Sequence, residues 1–393
     1  MTGAVGQRRV PIDFIAQTKI PLPPLAEQRR IVAKIEELFS ELDAGEESLR
    51  RARRQLGVYR QSLLKQAFEG KLTAPWRKQN PHLLESPGQF LNRIQEERQK
   101  RYEEQLKEWK STIRKSVDTA DKKPPKPSIL RAVSGRIEIF ASSFPPEWHS
   151  MNLSQIALEL GQGWSPKCES HAASADEWGV MKTTAIQPGR FQPEASKVLP
   201  PRFSPRPWLG LRNNDILITR AGPRSRCGVV CRVVGDHPKL LLCDKAYRLA
   251  FAEGATSASF IELLLCSPVA ADAIENLKTG INDSGVNITQ TSFLQLVVPI
   301  PSLPEQQEIV RLLDEQFTVI EQNEREIDAA LKRSAALRQS ILKKAFTGQI
   351  VPQDPTDEPA SALLERIREE RTTHSTSKKI AKKSTVGRKS LKG

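Results

Sequence analysis

The sequence predicts an α+β protein in which a globular domain is flanked by two long helices forming an antiparallel coiled coil. The first observation is an internal repeat: residues 21–72 align without a gap to residues 299–350 at a constant offset of 278, with about nineteen positions identical. The second is the periodicity of both copies, whose apolar residues recur at spacings of three, four and seven with no proline inside the helical run. The third is the change of character between them, where Trp, Gly and Pro become frequent and short β-rich runs replace the helical period.

Residues 1–20 are too few for a domain. At the repeat offset Val10, Ile15 and Ile20 match Ile288, Phe293 and Val298, so this segment reads as the end of a missing or truncated globular domain. The first repeat, residues 21–72, opens Pro21-Leu22-Pro23-Pro24-Leu25-Ala26-Glu27-Gln28, and the second opens Pro299-Ile300-Pro301-Ser302-Leu303-Pro304-Glu305-Gln306. Ile31-Val32 and Ile309-Val310 follow, and the copies close on Lys65-Gln66-Ala67-Phe68-Glu69-Gly70 and Lys343-Lys344-Ala345-Phe346-Thr347-Gly348. Prolines fix the approach to each helix, Glu27 or Glu305 suits its positive N-terminal end, and Gly70 or Gly348 can supply a left-handed cap. The stripe through Ile31, Ile35, Leu38, Leu42, Leu49, Leu56 and Leu63, and its counterpart in the second copy, is narrow and bordered by charge. Such a stripe suits one partner helix, so the copies are expected to pair with each other or with a second chain. About 45 residues at 1.5 Å each give a rod of roughly 70 Å.

Residues 73–117 read as a charged helical extension, and residues 118–135, around Lys122-Lys123-Pro124-Pro125-Lys126-Pro127, as a linker. Residues 136–298 form the expected globular domain, with strands at Asp215-Ile216-Leu217-Ile218-Thr219 and Gly228-Val229-Val230-Cys231-Arg232-Val233-Val234. The second coiled-coil segment, residues 299–371, ends in a short echo of the extension, Leu364 to Arg371 against Leu91 to Arg98. Residues 372–393 crowd Lys and Arg and read as a basic disordered tail.

A net charge of +14 favours a nucleic-acid partner, because each Lys or Arg set against a phosphate releases counterions; the tail supplies part of that charge. No run of eighteen apolar residues and no charged-then-apolar leader is present, so a soluble, cytoplasmic protein without membrane contact is expected. Five scattered cysteines read as reduced thiols, and Cys227 and Cys231, with only His237 close by, lack zinc spacing. GxxxxGK[ST], GxGxxG and HExxH are absent, as is the Asn/Asp-Pro-Pro-Tyr/Phe run of amino-methyltransferases, which argues against an enzyme. Asp215 and Asp244-Lys245 lack the acidic-x-Lys spacing of a metal-dependent nuclease. No catalytic residue, metal site or cofactor is expected in the chain itself.

The proline-rich approach, Leu-x-Glu-Gln, Ile-Val, the long heptad helix and the Lys-x-Ala-Phe-x-Gly ending together resemble the specificity subunits of type I restriction-modification systems. The likeness runs over nearly the whole chain. The domain resembles a target-recognition domain of that family through Trp148, Gly179 to Thr184, Lys197 to Pro200, Asp215 to Gly222 and the stretch from Gly285 to Pro301. The resemblance implies a non-catalytic subunit that reads part of a split target in double-stranded DNA. It implies that the helices hold recognition domains apart and dock methyltransferase subunits, and through them a motor-nuclease subunit. S-adenosylmethionine, ATP and Mg are then expected in the partners. The family carries two recognition domains; this sequence has one complete domain, so a half-subunit completed by a homodimer is one expectation.

Three segments of the domain carry side chains suited to DNA. The first is the loop after the Asp215–Thr219 strand, with Arg220, Arg224, Ser225 and Arg226; Arg can grip guanine or a phosphate with two bonds. The second is Gln162, Ser165 and Lys167 around a Gly-Gln-Gly-Trp loop, together with Lys182, Thr183 and Thr184. The third is the polar run containing Asn282 and Asn287, with Gln290 beyond it; Asn and Gln can pair with adenine. Each segment also suits an ordinary loop between strands. Two rival functions stand beside the DNA-reading one: a coiled-coil adaptor with a protein-binding domain, and an inactive remnant of a specificity subunit.

Overall fold

The computed structural model describes residues 10–115, 126–139 and 144–387; residues 118–125 of the expected linker lie outside the described residues. The fold mixes helix and sheet and divides into two compact units. One unit comprises residues up to 55 together with those from 322 onward, and the other residues 56–321. Among the described residues, no helix is long and apolar enough to cross a membrane.

In the first unit, α1 (Ile12–Gln17) has no buried residue. Helix α2 (Leu25–Phe68) begins in this unit and α9 (Leu303–Phe346) ends in it, each 44 residues long. Their portions here run antiparallel. Arg338 pairs with Asp43, and Ser334 donates to Glu46 at 2.8 Å; Arg53, further along α2, pairs at 2.8 Å with Asp328, further back along α9. Burial is sparse, with Ile327, Ser334 and Ala345 the buried positions of this part of α9. Arg30 meets Asp357 at 2.5 Å. Beyond it, α10 (Ala360–Gly387) is helical across residue 372, where the sequence places the onset of a disordered tail. The Lys378–Lys383 stretch with Ile380 and Ala381 contains nothing that breaks a helix.

The repeated motifs have a local physical reason. Gln28 Nε2 donates to the Pro23 carbonyl at 2.9 Å, and Gln306 Nε2 to the Pro301 carbonyl at 2.9 Å, the same bond at the repeat offset. The glutamine folds back to fix the proline-rich approach. The helix ends match too: Gly70 and Gly348 take φ of 69° and 68°, and the amides of Lys71 and Gln349 donate to the carbonyls of Gln66 and Lys344. A left-handed glycine followed by a six-to-one bond stops each helix.

In the second unit, the last turns of α2 and the first turns of α9 pack with the globular domain. The expected extension is broken into α3 (Ala74–Gln79), a 3-10 turn at Pro81–Leu83 and α4 (Pro87–Lys115). Pro75, Pro81 and Pro87 each stand in a first turn, where a missing N–H costs nothing. One sheet has the order β1 (Ile137–Glu138), β15 (Leu296–Ile300), β2 (His149–Asn152), with β15 parallel to β1 and antiparallel to β2. A four-stranded antiparallel sheet follows as β11 (Val230–Arg232), β9 (Ile216–Thr219), β13 (Ala246–Phe251) and β3 (Ala157–Gln162). Another runs β7 (Ser196–Val198), β4 (Gly179–Met181), β12 (His237–Leu241), β8 (Gly210–Leu211). Two ribbons, β10 (Ala221–Gly222) with β14 (Val286–Asn287) and β5 (Ile186–Gln187) with β6 (Arg190–Phe191), complete the strands.

Short helices α5 (Leu153–Ile156), α6 (Ala258–Leu265), α7 (Pro268–Asn276) and α8 (Gln290–Leu294) share one core with the β1-β15-β2 and β11-β9-β13-β3 sheets, while the sheet containing β4, β12 and β8 has a core of its own. Phe68 of α2, Phe90 and Ile94 of α4, Phe260 of α6 and Leu313 of α9 share one core. Phe68 meets Phe260 edge to face at 5.5 Å. Each such side chain contributes roughly 1.5–3 kcal/mol. Helix α4 is held on the domain by Arg98, which donates to the Ala157 carbonyl at 3.0 Å and the Ser154 carbonyl at 2.6 Å.

Candidate nucleic-acid interface

The three sequence-selected segments come together at one end of the β11-β9-β13-β3 sheet. The loop leaving β9 is folded onto itself: Thr219 Oγ1 donates to the Arg226 carbonyl, and the Gly228 amide donates to Thr219 O at 2.7 Å. Gly228 has φ of 84°, and a Cβ there would sit 2.6 Å from Ile274, so glycine alone fits. Ribbon β10-β14 then joins this loop to the segment from residue 279 to 290. The Arg224 amide donates to Asp283 O at 2.8 Å, and Ile288 N to Arg220 O at 2.8 Å.

The arginines of the loop are all engaged by other groups of the domain, Arg224 at the surface. Arg220 Nε donates to the Asp244 carbonyl at 2.8 Å, with its guanidinium 5.5 Å from the Tyr247 ring centre. Arg224 pairs with Asp283 at 2.7 Å and Glu275 at 2.5 Å, carboxylates that raise its pKa through hydrogen bonds. Arg226 donates to the carbonyls of Thr183 at 3.0 Å and Ile186 at 2.7 Å, and to Gln187 Oε1 at 3.2 Å. Arg226 therefore ties the Thr183–Ala185 turn to the loop, and Gln187 in turn donates to Thr184 O at 2.7 Å. Ser225 between them is exposed.

The second and third segments meet directly, where Gln290 Nε2 approaches Gln162 Oε1 at 3.5 Å with both residues exposed. Ser165 Oγ bonds the Asp244 carboxylate, whose residue also receives Arg220. Asn287 is held by backbone bonds to Thr279 at 2.8 Å, and Asn282 is exposed in the turn before it. Lys167 is exposed and Lys182 half-buried; neither side chain is bonded to the other candidates. The three segments are thus linked to one another, by Gln290 to Gln162, by Arg226 to the Thr183–Ala185 turn and by Arg224 to Asp283, and they expose amides and hydroxyls at Gln162, Ser165, Thr184, Ser225, Asn282, Asn287 and Gln290. Such groups can reach base edges, while fixed loops hold them in register.

A buried charge network lies under the opposite end of the sheet. Arg248 of β13 reaches Glu159 at 3.2 Å and Asp215 at 3.9 Å, and Arg101 and Gln105 of α4 reach Glu159 at 3.3 and 2.9 Å. Burial opposes the charge on Glu159, but Arg101 and Arg248 outweigh it and hold the carboxyl below its usual range. Burial pushes Asp215 up to about 6 against the pull of Arg248. Among the described residues, no group of three or more His, Cys, Asp or Glu could hold a metal ion.

Comparison with known proteins gives one consistent answer. No protein-family model matches the chain. The type I restriction enzyme EcoEI specificity subunit of Escherichia coli is 28% identical over 388 residues, covering 88% of this chain and 61% of the relative. The EcoKI specificity subunit of Escherichia coli strain K12 is 26% identical over 376 residues, covering 93% of this chain and 66% of the relative. The chain thus spans somewhat less than two thirds of the length of these curated relatives. Among solved structures, a chain from work on complex assembly and conformational transition of the type I R-M system is similar in fold. Its TM-score is 0.53 at 18% identity, over 84% of this chain and 61% of that one.

Proposed function

We propose, from the premise that this chain is a homologue of the type I restriction enzyme specificity subunits over most of its own length, that it is the DNA-reading subunit of such a complex. The single observation that supports this reading beyond homology is the linkage of three polar loop segments at one end of a sheet, where exposed Gln162 and Gln290 meet. Residues 136–298 read one part of a split target in double-stranded DNA. The two long helices form an antiparallel coiled coil that spaces recognition domains and docks methyltransferase subunits, with the motor-nuclease attached through them. The subunit itself is non-catalytic, and S-adenosylmethionine, ATP and Mg belong to the partners. Residues 1–20 correspond, at the repeat offset, to the segment with which residues 136–298 enter the second long helix, and a homodimer or another recognition domain would complete the split target.

The test is to co-express the full chain with a type I methyltransferase subunit, purify the complex and locate methylated adenines across a genome by single-molecule sequencing. A split motif is expected, palindromic if two copies of this domain read it and asymmetric if another domain contributes. A stable complex without methylation would point to an inactive remnant. No complex, and no DNA binding even at low salt, would leave the adaptor reading.

A further inference from the structure

Beside the polar surface lies a cationic feature that the sequence reading did not single out. The loop Leu199-Pro200-Pro201-Arg202-Phe203-Ser204-Pro205-Arg206-Pro207-Trp208 contains four prolines, which fix much of its backbone. The Arg206 guanidinium lies 4.0 Å from the centre of the Trp164 ring. Trp164 meets Phe203 edge to face at 5.7 Å, and the Arg202 guanidinium lies 5.1 Å from the Phe203 ring centre. The four side chains form a continuous row: Arg202, Phe203, Trp164, Arg206.

The row is fastened to the candidate interface. Trp164 precedes Ser165, and its amide donates to the Leu242 carbonyl at 2.9 Å. Arg202 donates to the Lys167 carbonyl at 3.3 Å. A Cβ at Gly163 would come within 2.0 Å of the Leu242 oxygen, so only glycine lets the strand pass this close. Arg224 is neutralised by two carboxylates, whereas no described carboxylate lies within ion-pair distance of Arg202, Arg206 or the exposed Lys167. Aromatic faces hold the two guanidinium planes without cancelling their charge, which leaves in-plane N–H donors for an oxyanion.

We propose that Arg202 and Arg206, stacked on Phe203 and Trp164, form a phosphate clamp that grips the DNA backbone beside the segment that carries Gln162. This rests on the DNA-reading function proposed above and adds its backbone-positioning element. A stacked guanidinium has lost most of its freedom before binding, so it can set the register in which the neighbouring amides meet the bases. Trp164 and Phe203 are positioning residues.

The experiment uses the full chain and a mixed-sequence DNA duplex, with affinity measured across a salt series. The paired variant R202Q/R206Q is compared with wild type after circular dichroism shows both folded. Loss of two phosphate contacts is expected to reduce the slope of log affinity against log salt by about two, equally for unrelated duplexes. The R206K variant keeps its charge and is expected to keep the slope while binding more weakly. An unchanged slope in folded R202Q/R206Q overturns the clamp while leaving DNA reading intact, and so does a loss confined to particular sequences. Wild-type chain that binds no duplex at any salt, alone or together with the methyltransferase subunit, overturns both proposals.

Discussion

The charged side chains inside the second unit have unequal consequences. Asp215 is nearly buried, accepts the Arg212 amide at 2.8 Å, and is pushed up to about 6 by burial. A carboxyl raised above its unfolded value binds its proton more tightly in the folded state. The associated stability is complete below the unfolded value near 4 and is lost as pH rises through about 6. Asp215→Asn removes that titration, so between pH 4 and 7 the wild type should lose up to about 3 kcal/mol relative to the variant. Urea denaturation of both at pH 4.5 and 7 measures this, and identical pH slopes would refute it. Glu305 is a different case. It is fully buried, accepts Thr73 Oγ1 at 2.6 Å and pairs with Arg77, which also donates to Gly70 O at 2.5 Å. Glu305→Leu leaves the Arg77 charge buried without its partner and should cost about 3–5 kcal/mol, a loss read directly by denaturation. Neither role was legible in the sequence. Glu305 stood out as a residue suited to a helix start, and Arg226 as a DNA reader, because type and local spacing are visible. Their partners are carbonyls, a guanidinium and a threonine far along the chain, fixed by tertiary packing. The Arg202–Arg206 loop carried a visible signal, arginines interleaved with aromatics and prolines, but its stacking on Trp164 depends on the fold.

At the scale of elements, the repeat allows one substitution to be tested in two environments. Gly70 and Gly348 end α2 and α9 with nearly equal φ of 69° and 68°. At Gly348 a new Cβ meets only Gln353 at 3.9 Å, whereas at Gly70 it would lie 2.3 Å from Pro145. Gly348→Ala should therefore cost about 1–2 kcal/mol, the price of the left-handed conformation alone. Gly70→Ala should cost more, because Pro145 or the helix end must also move. Thermal denaturation of both variants decides it: equal losses would mean that the Pro145 contact yields without penalty. Long helices and their caps were readable because their determinants lie within a few residues: the glutamine bond to a carbonyl five residues back, the left-handed glycine, the period of the stripe. Sheet order was not readable. Strand β15 pairs with β1 and β2, more than 140 residues earlier, and nothing in Leu296–Ile300 encodes that choice beyond a run of apolar side chains suited to a fully buried strand.

At the scale of the whole molecule, one sequence pattern occurs twice and is buried once. Helix α1 starts at Ile12 and α8 at Gln290, the same position at the repeat offset, so the local element forms in both copies. The next segment differs. Leu296–Ile300 is the central strand of a sheet, whereas Thr18–Leu22 is not a strand, although Ile20 and Leu22 match Val298 and Ile300. A helix satisfies its own backbone, but a strand needs neighbours on both sides, and β1 and β2 supply them only for the second copy. The burial follows: Ile288, Phe293 and Val298 are fully buried, while Val10, Ile15 and Ile20 are 48, 64 and 72% exposed. Matched substitutions should then have opposite outcomes. Val298→Glu places a carboxylate in a closed core and should unfold the second unit, whereas Ile20→Glu should change stability by less than about 0.5 kcal/mol. Denaturation of the isolated chain tests that difference, and a large loss in Ile20→Glu would show that residues 10–22 are already covered. The same Ile20→Glu variant in the assembled methyltransferase complex carries the functional half of the argument. If a second recognition domain closes on this segment, the substitution should abolish assembly or half of the recognised motif while leaving the free chain folded.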